Sequence, residues 1–382
     1  MTLYLDNAAA SWPKPPSVLA AAEQALREMG GSPGRGSHRM ARSASDLVSR
    51  ARGRAATLLG VGDPSLLAFT KNATESLNLL IKGWVRPGDR VLISPMEHNS
   101  VVRPLERLRG ERVQVEVMPH RAGGLIDLQG LALELATRPR LVVLNHASNV
   151  NGALQPVAEI ARLCESHGVP LLLDAAQTAG VQPIDVDGWK LGMLACSGHK
   201  GLLGPPGVGI VFIRGDLDVL PLMEGGTGSR SEEPVQPLLR PDRYESGTVN
   251  LPGIAGVMAG IDYLNESGIE SILAHELALA DRMETALVEL PGVRVLSPEV
   301  RGTGTVSFVV EGMNAGDVAY LLDETFDIAV RSGLHCAPAA HRTLATFPDG
   351  TVRVSPGYAT TDEEVDHFLS SLGRLLKRRA RS

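Results

Sequence analysis

The sequence predicts an α/β protein: a large part built on a mostly parallel, seven-stranded sheet flanked by helices, joined to a smaller C-terminal α+β part. Three observations predict it. Apolar runs rich in Val, Ile and Leu recur in strand–helix succession between Leu66 and Ile213, and runs this continuous, with little alternation, are expected of strands buried on both faces of a parallel sheet. Polar residues cluster where those runs stop, and ligands of such sheets collect beyond the C-terminal ends of the strands. After a long helical stretch the pattern changes to short strands with one helix between them, a different and smaller architecture.

Composition fits a soluble globular protein. The 382 residues can bury a large core, and 43% hydrophobic with 21% charged residues is ordinary. A formal net charge of −6 gives no reason to expect nucleic acid as a partner. The start, M-T-L-Y-L-D-N, lacks the basic and apolar regions of a signal peptide, and no apolar run approaches membrane-spanning length. The expectation is a cytoplasmic protein with no membrane partner. Cys164, Cys196 and Cys336 are too scattered for a disulfide framework or a metal knuckle, so no metal site is expected. The C-terminal K-R-R-A-R-S reads as a solvated tail.

In chain order, residues 3–7 form a short extended piece that the prolines of S-W-P-K-P-P end, and a helix follows over residues 17–29. The glycine-rich loop 30–38 carries Arg35 and His38, which are candidates for lining a site, although a plain linker has the same composition. Residues 41–59 space Leu47, Ala51, Ala55 and Leu58 along one helical face. Residues 66–69 read as a buried strand that runs straight into T-K-N-A-T-E-S. A helix starting near Ala73 would place free N–H groups and the positive dipole end at a strand's edge, with Thr74 adding a hydroxyl. That is a phosphate cup without the Walker lysine, and a capped helix start with no ligand fits the same residues.

Further strands are expected at residues 90–94, 113–118, 141–145, 170–173, 191–196 and 208–213. Their ends carry Glu97, His98 and Asn99; His146 and Asn149; Asp174 and Gln177; and Ser197, His199 and Lys200. Four clusters converging on one sheet edge argue for a single site. The last cluster, A-C-S-G-H-K-G, delivers a lysine into a glycine-rich turn. An amine held there is the natural covalent partner of an aldehyde, with Ser197 and His199 able to donate to a phosphate. By itself the stretch reads first as an ordinary strand exit with a solvated lysine.

Residues 215–250 are irregular and rich in Gly, Pro and Arg, as a lid or interface segment would be. A helix is expected over residues 252–289, broken near Gly268, then strands at 293–296, 304–310 and 328–330 with a helix at 317–323. R-S-G-L-H-C-A-P follows, and Arg353 lies 17 residues beyond Cys336 in T-V-R-V-S, which alternates like a strand with its arginine on the polar side. Glycines, a histidine and an arginine surround Cys336, as a mobile, electropositive loop requires, although a buried inert cysteine is the commoner fate of the residue type. Cys164 and Cys196 read as buried and inert.

Taken together, Y-L-D-N-A-A, F-T-K-N-A-T-E-S-L-N, M-E-H-N, S-N-V-N-G, D-A-A-Q, S-G-H-K, Y-E-S-G-T, R-S-G-L-H-C-A and V-R-V-S run nearly end to end. With them the sequence resembles the cysteine desulfurases, pyridoxal-phosphate enzymes of the class V aminotransferase group with the type I fold. The context of Cys336 is similar to the group II branch, which also holds selenocysteine lyases. The resemblance implies a large cofactor-binding domain over residues 16–255, and a small domain made of residues 1–15 and 256–382 that carries the cysteine loop.

It also implies residue roles. Lys200 is the lysine that joins pyridoxal 5'-phosphate as an imine and later moves a proton at the substrate Cα. Asp174 faces the pyridine nitrogen, Gln177 bonds the ring's phenolic oxygen, and His98 stacks on the ring. Thr74, the Ala73 N–H, Ser197 and His199 hold the phosphate, and Thr248 reaches the phosphate of a neighbouring subunit, so the protein is a homodimer. Asn149 lies near cofactor and substrate, and Arg353 clamps the substrate carboxylate. L-cysteine becomes L-alanine while its sulfur passes to Cys336 as a persulfide, for a sulfur-acceptor protein in sulfur metabolism such as iron–sulfur cluster assembly.

The sequence departs from that pattern at Val101, where an asparagine is usual, and at Leu105, where an aromatic residue often stands; Pro338 and His341 fall where relatives vary. Rival readings are a selenocysteine lyase, a cysteine sulfinate desulfinase, and a non-catalytic scaffold that binds a sulfur-assembly partner. A nicotinamide enzyme is disfavoured because no strand leads into G-x-G-x-x-G.

Overall fold

The structure, a computed structural model, describes residues 2–379. Its first part is β1 (Leu3–Tyr4), α1 (Pro16–Glu28), α2 (Arg39–Leu59), β2 (Leu67–Thr70), α3 (Ala73–Trp84), β3 (Arg90–Ile93), α4 (Asn99–Arg109), β4 (Gln114–Val117), α5 (Leu128–Leu135), β5 (Leu141–Asn145), α6 (Val157–Ser166), β6 (Leu171–Asp174), β7 (Met193–Ser197) and β8 (Gly209–Ile213). Local chemistry sets several boundaries. α1 opens on Pro16, whose fixed φ and missing N–H suit a first turn. α3 opens where the Asn72 side chain accepts the Glu75 N–H.

Strands β2 to β8 form one sheet in the order β2-β8-β7-β6-β5-β3-β4. Its central pairs are parallel, whereas β8 runs antiparallel to both β7 and β2. The expected mostly parallel sheet is therefore present with one reversal. No helix lies between β7 and β8, and without a crossover a strand can only return antiparallel. Along β5 to β8 every position is buried. Leu144, Leu173, Leu194 and Phe212 face one apolar cluster, and Val143, Leu172, Met193 and Val211 face the other. Two covered faces explain why these runs show no alternation.

The second part is α7 (Leu251–Ser267), α8 (Ile269–Val288), β9 (Val293–Val295), β10 (Val306–Val310), α9 (Ala315–Phe326), β11 (Ile328–Ala329), β12 (Arg331–Gly333), α10 (Pro338–Thr343), β13 (Thr351–Val354) and α11 (Asp362–Arg379). The expected break falls at Gly268, whose φ of +80° ends α7. α7 itself runs unbroken across residue 255 and packs on α1 and α2. β12-β13-β10-β9 make a separate antiparallel sheet, with Phe308, Leu322, Val352 and Phe368 in its core. β1 pairs in parallel with β11, Leu3 opposite Ile328, and Asp6 bridges to Ser355. The first residues are thus built into the smaller sheet's surroundings.

One strand differs from its sequence reading. Alternation in T-V-R-V puts Arg353 on a polar face, yet β13 is buried at all four positions and Arg353 is 0% exposed. Val352 and Val354 pack into the smaller core on one face, and on the other Arg353 meets the Asn149 carbonyl and Asp6 while Thr351 meets His335, so neither face is open to water. Residues 215–250 are irregular as expected, with one 3-10 turn at Asp242–Tyr244 and with Met223, Val235, Leu238 and Leu239 exposed. Of the basic C-terminal stretch, residues 380–382 lie outside the described residues. Among the described residues no helix is long and apolar enough to cross a membrane.

Candidate active site

The ends of β3, β5, β6 and β7 and the start of α3 open on one cavity. Ala73, Thr74, His98, Asn149, Asp174, Gln177, Ser197, His199 and Lys200 all line it, with Ser100 and Asn145 beside them. The turns that carry these residues are locked together. A Cβ on Gly201 would stand 2.5 Å from the Ala179 carbonyl, and one on Gly180, at φ +80°, would stand 2.5 Å from the Gly201 carbonyl. Backbone meets backbone there, which only glycine permits, so Lys200 keeps a fixed relation to Asp174 and Gln177.

Electrostatics distinguish these groups. Burial lowers the Lys200 ammonium to about 8, with Arg353 and Arg331 adding to the effect and Asp174 and Cys336 opposing it. A neutral amine is thus within reach at physiological pH. Burial raises the Asp174 carboxyl, while the Ala176 N–H at 2.9 Å and the Lys200 charge favour its ionised form. His98 falls to about 4, chiefly through burial and then through Lys200, Arg331 and Arg103. Its Nδ1 accepts the Ser100 N–H at 3.0 Å, which places the proton of the neutral ring on Nε2. His199, bonded through Nδ1 to the Ser197 hydroxyl at 3.0 Å, also falls to about 4, mainly by burial.

At the head of α3 the Asn72 side chain takes the Glu75 N–H and its carbonyl takes the Ser76 N–H. The Ala73 and Thr74 N–H groups are left without an intrahelical acceptor. Ser100, which sequence reasoning passed over, joins the cup to the ring: its hydroxyl is 2.8 Å from Thr74 Oγ1 and 2.9 Å from His98 Nδ1. One Gln177 N–H donates to the Ala8 carbonyl at 3.0 Å, which fixes the amide and leaves its second N–H for the cavity.

Arg353, fully buried on β13, does not line the cavity but meets one of its lining residues from behind. Its Nη1 donates to the Asn149 carbonyl at 2.9 Å and its Nη2 pairs with Asp6 at 2.5 Å. Three buried atoms here, Arg353 Nε, Asn149 Oδ1 and Asn145 Oδ1, have no hydrogen-bond partner. Buried polar atoms almost always have one, so the cavity is built for a polar ligand. Cys336 faces an adjoining groove that shares Thr74, His98 and Ser100 with the cavity. Its thiol is exposed, and Arg331 Nη2 stands 3.6 Å from Sγ. Two hydrogen bonds reach the turn that carries this thiol: the Asn99 N–H donates to the Cys336 carbonyl at 2.8 Å, and Asn149 Nδ2 donates to the His335 carbonyl at 2.7 Å.

Residues 3–368 match the family described as Aminotransferase class-V. The chain belongs to the class-V aminotransferase family. Among curated relatives it is similar to a probable cysteine desulfurase of Methanothermobacter thermautotrophicus, 34% identical over 369 residues that cover 95% of this chain and 92% of the relative. It is likewise similar to a cysteine desulfurase of Escherichia coli, 32% identical over 385 residues, 97% of this chain and 93% of the relative. Among solved structures it is similar to the apo structure of cysteine desulfurase from Thermococcus onnurineus NA1, with a TM-score of 0.92 and 33% identity over 98% of this chain and 95% of that chain.

Not every residue singled out in this class-V aminotransferase sequence lines the cavity. Thr248 is exposed on a separate groove with Phe69 and Lys71. Its segment is held by Glu245, whose Oε1 accepts from Arg52 at 2.7 Å and from the Phe69 N–H at 2.6 Å. Arg35 donates to the Gly226 carbonyl and His38 caps α2; neither lines the cavity. His146 is buried against Thr178 and Trp189. Glu97 lies fully buried, its Oε1 accepting from the Ser94 hydroxyl and the Asn145 N–H, and burial lifts its carboxyl to about 8. Cys164 and Cys196 are buried, and burial pushes both thiols up to about 12. Val101 and Leu105 are core residues, each 0% exposed, so the sequence departures there are packing choices.

Proposed function

We propose that the chain is a pyridoxal-phosphate-dependent cysteine desulfurase that takes L-cysteine to L-alanine and leaves the sulfur on Cys336. The observation that carries the proposal is the pairing, across one connected cavity, of a desolvated lysine with an exposed thiol beside an arginine. The donor set fits the cofactor: a carboxylate beside the lysine, an amide with a spare N–H, and a helix start with unspent N–H groups. When bound, the cofactor supplies an electron sink for charge left at the substrate Cα.

The chain's own residues do the rest. Lys200 would hold the cofactor through its amine and would carry the proton at the substrate Cα, a role its lowered basicity supports. Asp174 would hold the cofactor's ring nitrogen, and Gln177, with its spare N–H, and the neutral His98 would hold the ring beside it. Ala73, Thr74, Ser197 and His199 hold the phosphate, and Thr248 contributes to a partner's phosphate site in a homodimer. Arg353 clamps the substrate carboxylate beside Asn149, a role its unspent Nε supports. The Cys336 thiolate attacks the substrate sulfur: an S–S bond forms, the substrate Cβ–S bond breaks, and the electron pair with a proton makes the methyl group of alanine. Arg331 stands beside the attacking sulfur, its Nη2 3.6 Å from Cys336 Sγ. The outer sulfur then goes to an acceptor protein in the cytoplasm. The proposed division remains a large domain over residues 16–255 and a small domain of residues 1–15 and 256–382, with α7 running from one into the other.

The test is Cys336→Ala. Sulfide release from cysteine is expected to vanish while the yellow colour of the loaded protein stays, and mass analysis of wild type after incubation with cysteine is expected to find one added sulfur on the Cys336 peptide. Full activity in the variant would overturn the persulfide step. Assaying selenocysteine and cysteine sulfinate in parallel separates this reading from its nearest rivals, since sulfinate release needs no thiol attack.

A further inference from the structure

From the cavity a groove runs outward between α3 and α4. Thr74, His98 and Ser100 stand at its inner end, Cys336 faces it, and Lys82, Arg103 and Arg107 line its outer walls. Arg103 and Arg107 are one turn apart on α4, and Lys82 is one turn beyond Asn78 on α3, so the four-residue spacing aims the cations at the same channel. Among the described residues none of the three makes an ion pair or a side-chain hydrogen bond. Carboxylates are not in short supply, since the chain has 43 acidic residues to 37 basic ones, and on the same helix Arg109 is paired with Glu106 at 2.9 Å. Arg331 adds a fourth positive charge at the thiol itself. A cluster of unpaired cations around an exposed thiol, on a molecule of net negative charge, selects by charge what approaches that thiol.

We propose that this groove is the docking surface of the sulfur acceptor, and that the acceptor presents its thiol on an acidic protein segment. The inference rests on the persulfide reading of Cys336. In the transfer, an acceptor thiol loses its proton to solvent and the thiolate attacks the outer sulfur of the Cys336 persulfide. A new S–S bond forms, the bond from Sγ to that sulfur breaks, and Cys336 leaves as a thiolate that takes a proton back. No electrons are gained or lost overall. Lys82, Arg103 and Arg107 serve this step twice. They draw the acidic segment in, and they favour the attacking thiolate over its thiol. Three cations flanking one thiol suit a short acidic segment, whereas nucleic acid requires a longer basic track along its backbone.

The experiment uses the exposed thiol directly and needs no turnover. Two synthetic peptides, each with one cysteine carried as a mixed disulfide with thionitrobenzoate, are flanked by glutamates in one case and lysines in the other. Release of the coloured thiol by the loaded wild-type protein is followed in a stopped-flow instrument. The glutamate peptide is expected to react faster by about tenfold or more at low salt, and the two rates to converge near 0.5 M salt. In K82Q/R103Q/R107Q, whose changes lie on the surface, the difference is expected to shrink to within about twofold, with unchanged alanine formation when a small neutral thiol is the sulfur acceptor. Equal rates for the two peptides in wild type, or a preference that survives in the triple variant, would overturn the docking proposal. Absence of alanine formation by wild type would instead defeat the persulfide reading while leaving the peptide result to be read on its own.

Discussion

The lysine end and the cysteine end of the cavity are built on opposite terms. Lys200 follows a strand buried at every position, its turn clasped backbone to backbone against a neighbour, and burial has moved the titration of the groups around it. Cys336 sits on a short turn in the solvent, where His335 and Cys336 adopt φ of +48° and +57°. Left-handed conformations cost an ordinary residue roughly 1–2 kcal/mol each. Here Asn99, Asn149 and Thr351 hold them, the last through His335 Nε2 at 2.9 Å. The contrast teaches a division of labour. Under the proposed function, the group assigned to covalent chemistry is set in a desolvated wall, and the group assigned to meet substrate and acceptor is set on a rim.

The largest effect should come from breaking the wall. Lys200→Ala is expected to lower cysteine turnover at least ~1000-fold and to abolish the pyridoxyl adduct trapped on this peptide by borohydride; an adduct at the same level would deny Lys200 its role. Next comes the accessibility difference itself. Brief alkylation of the native protein with iodoacetamide should label Cys336 alone, with Cys164 and Cys196 reacting only after unfolding, as peptide mass analysis would show. Equal labelling of the three would erase the comparison.

Smaller shifts sharpen the comparison. Arg353→Lys keeps the charge but loses the planar fork, so KM for cysteine should rise about 10- to 100-fold, with a milder rise for Asp6→Asn. An unchanged KM in both would remove Arg353 from the substrate pocket. The smallest effect is a stability profile of the cofactor-free protein. His98, His146, His199 and His341 are lowered to about 4 from an unfolded value near 6.5. Between those pH values the unfolded chain binds more protons, so stability must fall as pH falls from 6.5 to 4. Glu97 and Glu276, raised to about 8 by burial, act oppositely and lose their contribution as pH rises towards 8. Tm should therefore peak near pH 6.5 and drop on the acid side by on the order of 5 °C. A Tm that keeps rising towards pH 4 would contradict the burial of these rings.

Much of the lysine end was legible because its chemistry sits at places that local pattern marks. An apolar run ends, a polar residue follows, and Asp174, Ser197 and Lys200 declare a strand edge without any knowledge of what lies opposite. The start of α3 at Ala73 was legible for the same reason, as a strand running into a capped helix. The reversal of β8 was not, because direction depends on the absence of a crossover and two-sided burial looks the same either way. At Arg353 the alternation separated the polar from the apolar face but could not say that neither meets water, since β13 is buried at all four positions. Ser100 and Asp6 went unnoticed because their importance lies in partners found across space, Thr74 for the one and an arginine 347 residues away for the other. Short polar residues of this kind carry no period to detect.

The pairing of Asp6 with Arg353, and of β1 with β11, has a consequence for synthesis. The anion cup, the carboxylate and the lysine are all encoded by residue 213, within a sheet that can close on itself early. The Asp6–Arg353 pair joins the two extremities, so on the ribosome it cannot form until nearly the whole polypeptide has emerged. Under the proposed function, a half-made molecule would carry the parts assigned to the vitamin-derived group before it had the grip assigned to the amino acid, which waits for the last segment to fold back onto the first.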